Sequence, residues 1–294
     1  MDQAEQLRNV IKEKTIYSSS NTGARLLTVT SGKGGVGKSN ISVNLAVQLS
    51  KLGKKVIIFD ADFGLANIEV MFGAIPQYNL SDLIYHGKNI KEIITPGPLD
   101  IGFISGGSGI LGLNNLKREQ ILYLAQSINE LNELADYIII DTGVGISDQV
   151  LEFILSSPEI ILVTTPDPTS LTDSYSLLKA LYNHPAFLTN GTMINVVANR
   201  VISYDDAKIA YDKLNSCVGQ FLHGELKYLG MIPNDVALEK AVRQQKPVSL
   251  SEPYSNSSKA FEVMAYNLVN GTNNQLQIRR GITHLFANLL NKLG

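Results

Sequence analysis

The sequence predicts an α/β fold: a doubly wound, mostly parallel sheet with helices on both faces. Three observations point to it. Seven short, nearly unbroken apolar runs recur along the chain, segments of helical period lie between them, and the first run leads into a glycine-rich loop and a helix. The runs cover residues 26–30, 56–59, 101–104, 137–140, 160–164, 194–198 and 228–232. A strand with one wet face alternates apolar and polar residues, whereas a strand buried on both faces reads as continuous Val, Ile and Leu, as in parallel sheets. Crossover helices are predicted where Ile41, Leu45, Leu49 and Leu52, and later Ile121, Leu124, Ile128, Leu131 and Leu134, recur at spacings of three and four. Residues 85–112 hold seven glycines and two prolines, which predicts a loop-rich stretch around a single strand.

The chain has 294 residues, 44% of them hydrophobic and 18% charged, enough apolar surface for one large domain with short tails. Lys and Arg total 25 against 27 for Asp and Glu, so no global positive field draws the molecule to nucleic acid, and no specific nucleic-acid partner is expected. Cys217 is the only cysteine, which excludes an internal disulfide framework and a cysteine-clustered zinc or iron–sulfur site. No apolar run exceeds five residues, and residues 1–14 lack the apolar stretch of a signal peptide, so a cytoplasmic setting is expected. His86, His184, His223 and His284 are scattered without ligand spacing, and no G-x-S-x-G elbow occurs.

Three segments follow. Residues 1–24 combine a short amphipathic helix (Ala4, Leu7, Val10 and Ile11 on one side) with the linker SSSNTG, residues 25–269 form the α/β domain, and residues 270–294 carry a polar linker and a final apolar-periodic helix.

The segment SGKGGVGKSN satisfies G-x-x-x-x-G-K-[ST] through Gly32, Gly37, Lys38 and Ser39, after a strand and before a helix. Gly32, Gly34, Gly35 and Gly37 let backbone N–H groups, with those of Val36 and Asn40, converge on phosphate oxygens. Lys38 neutralises the β and γ phosphates, and the Ser39 hydroxyl is placed to ligate Mg²⁺. The same glycines also match G-x-G-x-x-G with Asp60 placed 23 residues on, a dinucleotide fingerprint, but such a loop has no use for the Lys-Ser pair. Asp60 and Asp62 follow the second run, where they can serve a nucleotide or cap a helix. Asp141 ends the run YIII in an acid followed by Gly143 and Gly145, the form of a Walker B strand with a movable segment after it.

Lys33, directly after the first glycine, gives KGGVGKS, which resembles the deviant Walker A loop of the MinD/ParA ATPases. The resemblance implies ATP as nucleotide with Mg²⁺, and a homodimer in which Lys33 reaches the partner's nucleotide. It further implies that Asp62 orients the attacking water, that Asp60 supports the loop and metal, and that Asp141 holds Mg²⁺ through water. Asn199 and Arg200 in VVANRV, and Pro233 and Asp235 in MIPND, are by the same resemblance adenine-contacting positions, although both segments also read as ordinary turn chemistry. Asn40 departs from the threonine common at that place.

The tails narrow the resemblance. Residues 278–294 place Ile278, Ile282, Leu285, Phe286, Leu289, Leu290 and Leu293 at helical spacing with Arg279, Arg280 and Lys292 among the polar positions, and no acid follows Glu262. Such a helix suits an anionic membrane surface, or docks on its own domain. Residues 2–8, DQAEQLR, resemble the activation helix of the FlhG (YlxH, FleN) family of flagellar site and number regulators, which plain MinD lacks. That resemblance implies stimulation of the GTPase FlhF through residues 2–16 and contact with basal-body C-ring components such as FliM, FliN or FliY. It also implies slow ATP hydrolysis on the inner face of the cell membrane. A MinD-like cell-division ATPase, a ParA-like DNA partition ATPase and a non-catalytic nucleotide-gated scaffold are the alternatives.

Overall fold

The computed structural model describes residues 23–62, 67–107, 118–272 and 274. All seven apolar runs become strands: β1 (Arg25–Thr30), β2 (Val56–Ala61), β4 (Gly102–Ile104), β5 (Tyr137–Thr142), β6 (Glu159–Thr164), β7 (Met193–Val201) and β8 (Lys227–Pro233). These seven pair in parallel, and a two-residue strand β3 (Thr95–Pro96) runs antiparallel to β4, giving the order β3-β4-β2-β5-β1-β6-β7-β8.

The runs are unbroken because successive side chains enter different cores. On β2, Val56 and Ile58 face one cluster while Ile57, Phe59 and Ala61 face another, and β6 divides in the same way between Ile161 with Val163 and Ile160 with Leu162. The first cluster is covered by α1 (Lys38–Lys51) and α12 (Asn256–Asn270), helped by α2 (Asn67–Phe72), α10 (Val236–Arg243) and α11 (Val248–Ser251). The opposite face carries α3 (Leu80–Tyr85), α4 (Ile90–Ile93), α5 (Arg118–Leu134), α6 (Asp148–Leu155), α7 (Pro168–Tyr182), α8 (Pro185–Asn190) and α9 (Tyr204–Leu222).

Two expectations need correction. Leu52 does not extend the buried stripe of α1, because the helix ends at Lys51 and the chain turns through Gly53, leaving Leu52 exposed. Residues 85–107 are more ordered than a loop around one strand. Asn89 and Glu92 form a reciprocal capping box that starts α4, β3 pairs with β4, and residues Pro98–Asp100 make a 3-10 turn. Residues 1–22, 63–66, 108–117, 273 and 275–294 lie outside the described residues, and with them the expected terminal helices.

Strand order sets the site. β1 sits between β5 and β6, so its C-terminal end is where crossovers leave in both directions, the place where open α/β sheets bind ligands. Asp60 on β2 and Asp141 on β5 are register partners there. Arg25 closes the other end, binding both carboxylate oxygens of Glu159 at 2.6 and 2.8 Å and donating to the Leu268 carbonyl of α12. α1, which presents the loop, is wedged between sheet and α12 through fully buried Ile41, Leu45 and Leu49. Leu45→Ala is expected to destabilise the chain by about 2–5 kcal/mol through lost burial and a residual cavity. Urea unfolding of the purified chain measures this, and a loss under ~1 kcal/mol contradicts the wedge.

Candidate functional site

The loop from Ser31 to Ser39 is held from behind. Gly32 lies so close to α7 that a Cβ on it would stand 2.1 Å from the Asp173 carbonyl oxygen. Gly37 has φ 101°, and a Cβ there would meet Asn199 Nδ2 at 2.4 Å. Both positions therefore require glycine on packing grounds, and Gly37 on conformational grounds as well. Asn199 Nδ2 donates to the Val36 carbonyl at 2.6 Å, and Arg200 Nη2 to the Gly35 carbonyl at 2.8 Å. Gly145 N–H, from the segment after β5, donates to the Ser31 carbonyl at 3.2 Å. Loop carbonyls are thus tied down, while α1 starts at Gly37 with no side-chain cap. Uncapped N–H groups and the positive end of the helix dipole make an anion site.

Charge converges behind that loop. Lys38 is buried, and burial lowers its pKa against the pull of Asp141 and Asp62. Asp141 is fully buried. It accepts from Ser42 Oγ at 2.8 Å through Oδ1, is also bonded by Ser39, and its Oδ2 has no partner. Asp60 accepts the backbone N–H groups of Asp62, Asn67 and Ile68 at 3.1–3.3 Å, so it caps α2 as well as facing Asp141. Asp62 is partly exposed, accepts from Asn67 Nδ2 at 3.3 Å, and lies 3.8 Å from where a Cβ on Gly143 would stand. The second carboxylate of the FDAD segment therefore acts on Lys38 and lies beside Gly143 after β5.

The fit to Mg²⁺ can be judged from the donors. Among the described residues no three His, Cys, Asp or Glu side chains cluster as a metal cage. Mg²⁺ usually keeps several waters and takes one or two protein oxygens beside nucleotide phosphates. The Ser39 hydroxyl with the orphan Oδ2 of Asp141 behind it matches that requirement.

The expected adenine positions have protein partners. Asn199 and Arg200 brace the phosphate loop, a role their sequence context did not signal. Pro233 ends β8 beside Val201, and Asp235 caps α10 through Ala237 N–H while accepting N–H and Oγ of Ser257 at 2.9 and 2.8 Å. Asp235 therefore joins α10 to α12. Lys33, on the rim, contacts Asp167 and Thr169 of its own chain.

Comparison with known proteins agrees with this geometry. A ParA family model, described as NUBPL iron-transfer P-loop NTPase, matches residues 23–269. The antiactivator FleN of Pseudomonas aeruginosa is 36% identical over 82% of this chain and 85% of its own length. The flagellum site-determining protein YlxH of Helicobacter pylori is 34% identical over the whole of this chain and 99% of its own. The crystal structure of the cell division ATPase MinD of Pyrococcus furiosus matches with a TM-score of 0.67 at 26% identity, covering 85% of this chain and all of that one.

The buried acids predict a pH dependence. Burial and the neighbouring Asp141 push the Asp60 carboxyl up to about 8, and burial pushes Asp141 up to about 6 against Ser39, Ser42 and Lys38. A carboxyl of this kind holds its proton more tightly folded than unfolded. Its stabilising contribution is complete below its ordinary 3.8 and is lost as pH rises through the folded value. The Tm of the nucleotide-free, metal-free chain should fall between about pH 5 and about pH 8, with Asp60→Asn flattening the upper part of the slope. A slope unchanged by Asp60→Asn contradicts the assignment.

Proposed function

The chain belongs to the MinD/ParA family of P-loop NTPases, in its FlhG (YlxH, FleN) branch, and on that premise we propose that it is an ATP-dependent spatial switch for flagellar placement and number. The observation that carries the reading is the convergence of Lys38, Asp62 and Asp141 on a loop whose carbonyls are tied back and whose helix end is uncapped.

In this reading the loop amides and Lys38 hold the triphosphate of ATP, and Ser39 with Asp141 holds Mg²⁺. The cation, when bound, offsets charge on the β and γ phosphate oxygens. Asp62 orients a water whose oxygen bonds the γ-phosphorus as the bond to the β–γ bridging oxygen breaks, and ADP departs with that electron pair. Lys33 crosses to the nucleotide of a second copy, so two chains close face to face while the γ-phosphate is present. Gly143 and Gly145 let the segment after β5 respond when it leaves, through Asp62 on one side and the Ser31 carbonyl on the other. Adenine lies against the ends of β7 and β8, near Asn199, Arg200, Pro233 and Asp235.

The paired state presents two copies of residues 278–294 to the anionic inner membrane surface, and two modest anchors bind far more tightly than one. Residues 2–16 stimulate the GTPase FlhF, and the loaded pair engages C-ring components such as FliM, FliN or FliY. The name of the Helicobacter pylori relative, flagellum site-determining protein YlxH, supports this placement. The chain's single cysteine speaks against the iron transfer in the family model's description.

Asp62→Ala should keep ATP binding and lower phosphate release about a hundredfold or more. Turnover within a few fold of the natural chain sinks the role of Asp62. With ATP, deletion of residues 278–294 should abolish co-sedimentation with anionic vesicles. Undiminished vesicle binding, or ATP-dependent sedimentation with DNA instead, favours a different anchor or the partition reading.

A further inference from the structure

Ser42 is fully buried in α1, where packing alone asks for nothing polar. Its chain neighbours Ile41 and Val43 are fully buried apolar residues, and alanine would fit the same space with better helix propensity. A serine inside a helix ordinarily returns its proton to the carbonyl four residues back. That acceptor is present, the Lys38 carbonyl at 3.3 Å, but the Ser42 hydroxyl lies closer to Asp141 Oδ1, at 2.8 Å. Its single proton therefore goes to the carboxylate. Ser39, three residues earlier and on the same side of α1, bonds that carboxylate too. Asp141 itself is fully buried at the end of β5, and its Oδ2 has no partner. Ser42 thus pins one oxygen of the acid and leaves the other open, and the carboxylate cannot turn without breaking that bond. The proton that Ser39 gives to Asp141 leaves both lone pairs of its hydroxyl for a cation.

We propose that Ser42 is a positioning residue for Mg²⁺, holding Asp141 turned so that Oδ2 is presented to the cation together with the Ser39 hydroxyl. The inference rests on the nucleotide and cation reading given above, and it gives Ser42 no contact with the nucleotide. Groups that orient the residues around a metal set its affinity by about 10- to 100-fold. Without Ser42 the buried carboxylate is one donor short and free to turn, so the cation loses a prearranged place while the phosphate loop keeps its shape.

Fluorescently labelled ADP bound to the full chain tests this, because ADP separates cation binding from pairing and turnover. Anisotropy gives the affinity for labelled ADP in EDTA, and then the Mg²⁺ concentration that half-saturates the further binding. Ser42→Ala should raise that Mg²⁺ concentration about 10- to 100-fold and keep the affinity in EDTA within about twofold. Ser42→Cys, close to serine in size but a poor donor, should do the same, and it carries the test if Ser42→Ala does not fold. Ser42→Thr, which keeps the hydroxyl, should return the Mg²⁺ requirement to within about threefold of the natural chain. An unchanged Mg²⁺ requirement in Ser42→Ala and Ser42→Cys overturns the proposal. An equal loss of affinity in EDTA also overturns it, since that marks a packing defect, as does Ser42→Thr behaving like Ser42→Ala. If Mg²⁺ leaves ADP binding by the natural chain unchanged, the cation reading fails and takes this inference with it, whereas a Mg²⁺ effect that the Ser42 variants do not alter sinks this inference alone.

Discussion

Backbone contact at two glycines is the constraint on which the site depends. Gly32 touches the Asp173 carbonyl and Gly37 touches the Asn199 amide, so the loop between β1 and α1 is pressed into shape by α7 on one side and β7 on the other. A loop free to relax would turn its N–H groups toward its own carbonyls. Here those carbonyls are occupied by Asn199, Arg200 and Gly145, which leaves the helix end for an anion. The same contacts tie three distant parts of the chain to one short segment. A change at the phosphate position therefore has direct mechanical neighbours in α7, in β7 and in the glycine segment after β5.

Electrostatics adds a second layer. Asp60 and Asp141 stand side by side because parallel strands β2 and β5 put them in register, and strand spacing holds their side chains within a few ångströms. Burial raises both buried acids, Asp60 and Asp141, and Asp141 adds to the rise of Asp60; Asp141 and Asp62 in turn act on Lys38, the buried cation of the site, so the site carries more carboxylate than positive charge. A triphosphate alone would worsen that imbalance, and a divalent cation would relieve it. The orphan oxygen of Asp141 is the place where such relief is geometrically available.

The large features were legible in the sequence for a physical reason. Strands buried on both faces leave a continuous apolar signature, and all seven runs became strands, while the phosphate loop carries its chemistry within eight consecutive residues. Features that depend on distant partners were not legible. Nothing near Asn199 announces that its amide would meet Val36, 163 residues away, and nothing near Lys33 announces Asp167, 134 residues away. Asp60 read as a site residue or a helix cap, and the structure makes it a cap on α2 that also faces Asp141. The short α4 is hidden by the glycines and prolines around it, and its one local signal is the capping pair of Asn89 and Glu92. The most specific resemblance is carried by residues 2–16 and 278–294, which lie outside the described residues.

Joining of two chains by ATP, with Lys33 crossing between them, is the central claim. Sedimentation velocity of the full chain with Mg²⁺ and a non-hydrolysable ATP analogue, compared with Mg²⁺ and ADP, tests it most directly. The account predicts a species of twice the 32.1 kDa chain mass with the analogue and a single chain with ADP, the difference vanishing in Lys33→Ala. A single chain under both nucleotides, or a pair that forms equally well with ADP, contradicts it.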